Sequence, residues 1–139
     1  LHDDSINLKD AVTGLASEFQ FCPVTLDYDM GYEVPKEIKY CFISIIKEGL
    51  SNISRHSSAT EAHIILREHP ALYQLCIEDN GKPAGTLSGK KDGHIFSDDR
   101  SRGIGLSNMK DRLESLKGTL QITTDNGFRL FITIPKEQE

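Results

Sequence analysis

The stretch Glu48–Thr60, EGLSNISRHSSAT, closes a segment whose apolar residues recur at helical spacing. Apolar or small residues fall three or four positions apart, which is the pattern of one buried helical face. Pro35 is a favoured first helical residue, because its fixed φ suits the first turn and its missing N–H is not needed there. The pattern predicts one long helix from about Pro35 to His56, whose apolar face is formed by Ile38, Cys41, Phe42, Ile45, Ile46, Gly49, Leu50 and Ile53.

Polar residues interrupt the apolar face of this helix. At about 100° per residue, Asn52 and His56 project into the apolar arc, while Glu48 and Arg55 lie on one flank of it. A buried carboxamide costs roughly 1–3 kcal/mol unless a protein group, a water or a ligand satisfies it. Glu48 and Asn52 stand one turn apart and both offer oxygen, the ligand atom that Mg²⁺ prefers. The ordinary alternative is a solvated helix edge with one internally bonded asparagine.

The composition indicates one soluble domain. The chain has 139 residues, 37% hydrophobic and 27% charged, with a formal net charge of −5. This length suits a single core, and the negative charge gives no support to binding of nucleic acid or a membrane surface. Cys41 and Cys76 fall within apolar patterns, which is typical of buried, reduced thiols in the cytoplasm. No apolar run approaches the ~20 residues of a membrane-spanning helix.

The other segments show strand and helix patterns in a simple order: helix, strand, helix, strand, strand, loop, helix, strand, strand. Hairpins make the later part of the sheet antiparallel. We therefore predict an α+β fold, a two-layer α/β sandwich in which three helices cover one face of a mixed, mostly antiparallel sheet. The predicted strands are Val24–Asp29, Glu61–Glu68, Leu72–Asp79, Leu120–Thr124 and Phe128–Ile134, and the other helices cover residues 6–20 and a segment from Leu106 to a cap at Gly118.

Three further stretches are candidates for parts of a site. Asp79 ends an apolar strand face and precedes Asn80-Gly81, although capping this turn is itself a common use of aspartate. Residues 80–102 lack periodicity, which is typical of a lid, a binding loop or an insertion. Gly103 and Gly105 then open a helix, where exposed N–H groups and the helix dipole favour phosphate, although loops often use glycine in this way.

Four motifs follow one another along the chain: E-x-x-x-N on a helix, D-x-G after a strand, a long polar loop, and G-x-G-L opening a helix. Motifs in this order resemble those of the ATP-binding domain of sensor histidine kinases, which has the Bergerat (GHKL) fold. The resemblance extends from about Asp10 to Pro135 and is greatest to kinases that work with LuxR/NarL-type response regulators. Residues 48–60 resemble the asparagine box of that subgroup, and residues 103–120 resemble its second glycine box.

The resemblance implies a role for each motif residue. Asn52 would ligate Mg²⁺, and Glu48 would orient the water shell of the metal or assist proton transfer. Arg55 and His56 would lie near the phosphates, with Glu48 and His56 as the catalytic pair. Asp79 would accept the adenine amino proton. The other residues implied to bind the nucleotide are Gly81, beside the base, and Gly85, Gly103, Gly105 and Leu106.

Three features depart from the family pattern. The second glycine of D-x-G-x-G is delayed by two residues, to Gly85. The lid is longer than usual for the subgroup. Where the family commonly has Gly-Thr, this chain has Gly127-Phe128, and we expect Phe128 to pack on the base side. These departures concern adenine affinity more than the fold.

By resemblance, the chain is the catalytic domain of a bacterial two-component sensor histidine kinase, an enzyme. It would bind Mg-ATP and transfer the γ-phosphoryl group to a histidine on a separate upstream dimerisation domain, from which a LuxR/NarL-type response regulator takes it. Residues 1–20 would be the stub of a dimerisation helix and the first helix of the domain, and residues 21–139 the ATPase domain. We expect a monomeric, cytoplasmic fragment of a homodimeric parent, with or without a membrane anchor.

Two alternatives fit parts of the sequence. An anti-sigma-factor serine kinase has the same fold, but the run Met109–Leu120 looks more like the histidine kinases. A degenerate nucleotide-binding or protein-binding module would explain Phe128, the spaced glycine box and the long lid. The motif residues that argue against degeneration are Glu48, Asn52, Asp79, Gly81, Gly103 and Gly105.

Overall fold

The computed structural model describes residues 7–31, 33–56, 58–81, 109–123 and 127–136. The bounds predicted for the elements agree with it to within about two residues wherever they fall inside these ranges. The elements are α1 (Leu8–Glu18), β1 (Val24–Asp29), α2 (Lys36–His56), β2 (Ala62–Glu68), β3 (Leu72–Asp79), α3 (helical over 109–115), β4 (Thr119–Thr123) and β5 (Arg129–Pro135).

The five described strands form one mixed sheet in the order β1-β2-β3-β5-β4. β1 and β2 are parallel, and the other neighbouring strands are antiparallel. A parallel pair needs a crossover connection, and α2 supplies it between β1 and β2. The prediction of a mixed, mostly antiparallel sheet is confirmed.

One face of the sheet carries the core and the other face is open. Along β5, Leu130, Ile132 and Ile134 are buried, whereas Arg129 on the opposite face is exposed. The buried residues of all three helices belong to the same hydrophobic cluster as these strand residues, which confirms the two-layer sandwich. The alternation also places Asp79 on the core face, at the end of the row that contains Leu75 and Ile77.

Helix α2 lies close to the centre of the sheet. Its largest core side chains, Phe42, Ile45 and Ile46, have no exposed surface. A Cβ atom on Gly49 would lie 2.9 Å from Cδ1 of Ile77, so the glycine permits the close contact of α2 with β3. This contact brings the last two turns of α2 to the same edge of the sheet as the end of β3.

The cysteines of the chain are unlinked and buried: Cys22, Cys41 and Cys76. Burial raises the pKa of the Cys41 thiol to about 11, so this group is protonated at neutral pH. The prediction of buried thiols at Cys41 and Cys76 is confirmed. In the described part of the chain, no helix has both the length and the apolar character needed to cross a membrane.

Candidate functional site

A single side chain joins the end of β3 to the loop after α2. Asn80 accepts at its Oδ1 the backbone N–H groups of Thr60, at 2.9 Å, and Glu61, at 3.1 Å. Its Nδ2 donates to Thr60 Oγ1 at 2.8 Å. The two motifs that the sequence presents separately, at residues 48–60 and 79–81, are therefore held together at one edge of the sheet.

Asn52 is the polar residue that α2 buries at this edge. It is 2% exposed, on the helical face that packs against the sheet, as its spacing predicted. Its Oδ1 accepts a hydrogen bond from Arg55 Nη2 at 3.3 Å. The same nitrogen lies 3.7 Å from Glu48 Oε2. An amide oxygen and a carboxylate oxygen thus converge on one positive charge, and oxygen donors of this kind suit Mg²⁺.

Asp79 is the second buried polar residue of the site, at 5% exposure. Its Oδ1 accepts the backbone N–H of Gly81 at 2.9 Å and that of Phe128 at 3.4 Å. In return, the backbone N–H of Asp79 donates to the carbonyl oxygen of Phe128 at 2.9 Å. The turn-capping bond, which is the ordinary explanation of an aspartate here, is present. Asp79 is also buried on the core face, however, and capping a turn does not require burial.

The negative charge at this edge acts on a neighbouring thiol. Burial first, and then the charges of Asp79 and Glu61, raise the pKa of the Cys22 thiol. Cys22 precedes β1, whose first residue, Val24, pairs with Ala62. The edge is therefore formed by the ends of β1, β2 and β3 together, with Asp79 among them.

Close backbone approaches at this edge require two glycines. A Cβ atom on Gly81 would lie 2.2 Å from the backbone N of Ala59, and one on Gly127 would lie 2.2 Å from the carbonyl oxygen of Asp79. Gly127 also has a φ of +92°, a conformation that other residues rarely adopt. The approach seen at Gly81 is to the loop after α2, and its approach to a base stays a prediction.

The sequence matches the model of the HATPase_c family, described as histidine kinase-, DNA gyrase B- and HSP90-like ATPase, over residues 41–138. The chain belongs to this family. The resemblance inferred from the motifs is thereby confirmed, and ATP is the nucleotide that the description of the HATPase_c family implies. Mg²⁺ and the division of the chain at residues 20 and 21 stay predictions.

Several curated relatives are sensor kinases. The chain is 28% identical to the histidine-protein kinase/phosphatase DegS of Brevibacillus brevis over 107 residues, covering 76% of this chain and 25% of DegS. It is 29% identical to the sensor histidine kinase DesK of Bacillus subtilis over 138 residues, covering 96% of this chain and 34% of DesK. It is 31% identical to the nitrate/nitrite sensor protein NarX of Escherichia coli over 108 residues, covering 77% of this chain and 16% of NarX. The chain therefore spans about a third or less of the length of these relatives.

Solved structures share the fold. The histidine kinase domain of the Erythrobacter litoralis EL346 blue-light activated histidine kinase matches with a TM-score of 0.66 at 18% identity, over 96% of this chain and 63% of that one. The catalytic domain of the histidine kinase ThkA matches with a TM-score of 0.64 at 17% identity, over 96% of this chain and 97% of that one. The predicted α/β sandwich of the HATPase_c family is confirmed by these similarities.

Part of the predicted site lies outside the described residues. His56 ends α2, but its side chain is not among those the structure describes. The roles of all the site residues stay predictions. The structure groups Glu48, Asn52 and Arg55 on α2. It separately joins Asp79 and Gly81 by a hydrogen bond at the end of β3. The predicted residues outside the described ranges are Gly85, Gly103, Gly105 and Leu106.

Two interactions at the site were not predicted from the sequence. Asn80 is visible there only as part of a turn, and its partners are 19 and 20 residues away. Phe128 holds Asp79 through backbone atoms, which no side-chain pattern reveals. The Phe128 side chain is buried in the core cluster with Leu130, and its contact with a base stays a prediction.

Proposed function

We propose that this HATPase_c domain is the catalytic domain of a sensor histidine kinase, which binds Mg-ATP and transfers the γ-phosphoryl group to a histidine. One observation carries the proposal. Two polar side chains, Asn52 and Asp79, are buried on the core face at a single edge of the sheet, and Asn80 ties their segments together. Burial of polar groups in an otherwise apolar face is costly, and a ligand is a common reason for it.

In this proposal the two buried residues bind opposite ends of the nucleotide. Asp79 accepts a hydrogen bond from the adenine amino group, with its carboxylate oriented by the N–H groups of Gly81 and Phe128. Asn52 would ligate Mg²⁺ directly, and Glu48 would hold the metal through its water shell or assist proton transfer. The metal would neutralise phosphate charge, with phosphates and waters completing its shell. Arg55 and His56 would bind near the phosphates, and the resemblance implies further nucleotide-binding roles for Gly85, Gly103, Gly105 and Leu106.

The partners follow from the same proposal. The phosphoryl acceptor is a histidine on an upstream dimerisation domain of the parent protein, and a LuxR/NarL-type response regulator then takes the group. The names of DegS and DesK, which are histidine kinases, support a histidine as the phosphoryl acceptor. Transfer of ³²P from labelled ATP to a parent protein that contains the upstream segment, at an acid-labile and base-stable site, tests it directly.

Nucleotide binding is tested by thermal unfolding with ATP, ADP or GTP, each with and without Mg²⁺. A ligand at 100 times its Kd stabilises the folded state by about 2.7 kcal/mol. We expect a rise in Tm with adenine nucleotides only. Asp79→Asn should remove it, because the N–H groups of Gly81 and Phe128 would hold the amide oxygen and leave a donor where the base needs an acceptor. Glu78→Gln is the matched control, since Glu78 pairs with Arg129 on the open face of the same strand. Absence of any shift at millimolar nucleotide would contradict the proposal and favour the degenerate module.

A further inference from the structure

Arg55 bridges the two oxygen groups that the proposed function assigns to the metal. One atom, Nη2, is 3.3 Å from Asn52 Oδ1 and 3.7 Å from Glu48 Oε2. The three residues stand at i, i+4 and i+7 along α2, so they share one side of the helix. A guanidinium nitrogen and a metal ion cannot both occupy the space between the same two oxygens.

We propose that Arg55 is a displaceable counter-cation, which holds the metal-binding oxygens in the nucleotide-free domain and must leave when Mg²⁺ binds. The inference rests on the proposed function, since it takes Glu48 and Asn52 as the metal set. It assigns Arg55 a positioning role in the nucleotide-free domain, besides its proposed place near the phosphates.

Burial explains why the two oxygens need a partner when no metal is present. Asn52 is almost fully buried, and a buried amide oxygen without a donor is unfavourable. Glu48 is 27% exposed, so its carboxylate is partly removed from water and gains from a nearby positive charge. The guanidinium serves both groups at once, and it keeps their oxygens turned toward each other.

The exposure of Arg55 explains why the contact can open. Its side chain is 46% exposed, so the guanidinium can turn away into solvent without disturbing the core. The neighbouring helix positions that fix the backbone, such as Ile53, are buried and need not move. Triphosphate offers the displaced guanidinium a stronger acceptor than water, because charge-assisted bonds of arginine to phosphate are strong.

If Arg55 is displaced in this way, binding of the metal and binding of ATP should each strengthen the other. When the metal binds alone, the displaced guanidinium of Arg55 moves into water. When the metal binds with ATP, the guanidinium can form hydrogen bonds with phosphate instead. Wild type therefore binds the metal weakly without nucleotide and much better with it. Removing the charge at position 55 should raise the affinity for the metal alone and reduce the gain that ATP provides.

The test measures binding of Mn²⁺, a paramagnetic substitute for Mg²⁺, by electron paramagnetic resonance with and without ATP. Arg55→Met removes the charge and keeps the length of the side chain. Arg67→Met is the matched control, because Arg67 forms an ion pair with Asp27 on the open face at 2.8 Å. We expect Arg55→Met to bind Mn²⁺ alone about fivefold more tightly, the effect of one partly exposed charge pair. Arg67→Met should match wild type.

The outcomes separate this inference from the proposed function. If wild type binds Mn-ATP but Arg55→Met binds Mn²⁺ alone no better than wild type does, the displacement is wrong and the kinase assignment stands. If no variant binds ATP with or without the metal, the proposed function itself fails. Arg55→Gln covers the case in which Arg55→Met unfolds, since it also removes the charge but leaves a polar side chain at this partly exposed position. It should bind Mn²⁺ alone more tightly than wild type, and affinity equal to wild type would overturn the displacement.

Discussion

The two ends of the central strands each hold a carboxylate that accepts a backbone N–H, but in opposite surroundings. At the site end, Asp79 is buried and accepts the N–H groups of Gly81 and Phe128. At the far end, where β2 ends, Glu68 accepts one hydrogen bond from the backbone N–H of Gly31 at 2.6 Å and another from the ammonium of Lys136 at 2.8 Å. Glu68 and Lys136 are each 27% exposed.

This difference separates a structural carboxylate from a candidate functional one. The far end joins opposite charges near solvent, an arrangement that adds modestly to stability and weakens with salt. The site end instead buries its polar groups, Asn52 and Asp79, almost completely, and there they cost stability unless they have a further purpose. We therefore expect changes at the site end to alter binding, and changes at the far end to alter stability alone.

The largest expected effect is at Gly81. Gly81→Ala would bring a Cβ atom to 2.2 Å from the backbone of Ala59, which must shift and pull the loop away from Asn80. We expect a loss of about 2–4 kcal/mol in the free energy of unfolding, measured with urea. Gly14→Ala is the matched control: apart from its chain neighbours and the backbone of its own helix, no atom lies within 4 Å of the added methyl, and the helix should gain up to about 1 kcal/mol. Equal effects at both positions would contradict the close approach.

A substitution at Asn52 tests whether this buried polar side chain lowers the stability of the fold. Asn52→Leu replaces the amide by an apolar side chain on the core face of α2. We expect the free energy of unfolding to stay the same or rise by about 1 kcal/mol, because leucine removes the cost of burying an amide. The Tm shift with Mg-ATP should disappear. A loss of more than about 1 kcal/mol would mean that Asn52 stabilises the fold. It would contradict the view that polar groups at the site end cost stability.

Much of this architecture could be predicted because it depends on local patterns. The spacing of Ile45, Ile46 and their neighbours defines α2, and the period of two along β3 places Asp79 on the core face. The burial of Asn52 also follows from the helical period alone. The positions of site residues on regular elements can therefore be inferred from the amino-acid sequence.

The links between the elements could not be predicted in the same way. Asn80 reaches partners about 20 residues away, and that distance in sequence leaves no pattern. The donors from Gly81 and Phe128 to Asp79 are backbone atoms, which any residue except proline has. The helical period places Arg55 on the correct flank of α2, but its bridge between Glu48 and Asn52 depends on a rotamer that the sequence does not specify.

The smallest expected effect is at the far end, where Glu68 should matter only through charge. The bond from Lys136, and next that from Gly31, lower the pKa of Glu68 below its ordinary value. A lowered pKa means that the stabilisation is present above the unfolded pKa of about 4.3 and is lost as the pH falls through the folded pKa. Glu68→Gln should therefore cost about 0.5–1 kcal/mol at pH 7, and the difference from wild type should vanish in acid. Its Tm shift with Mg-ATP should equal that of wild type, whereas a reduced shift would show that the two ends of the sheet are coupled.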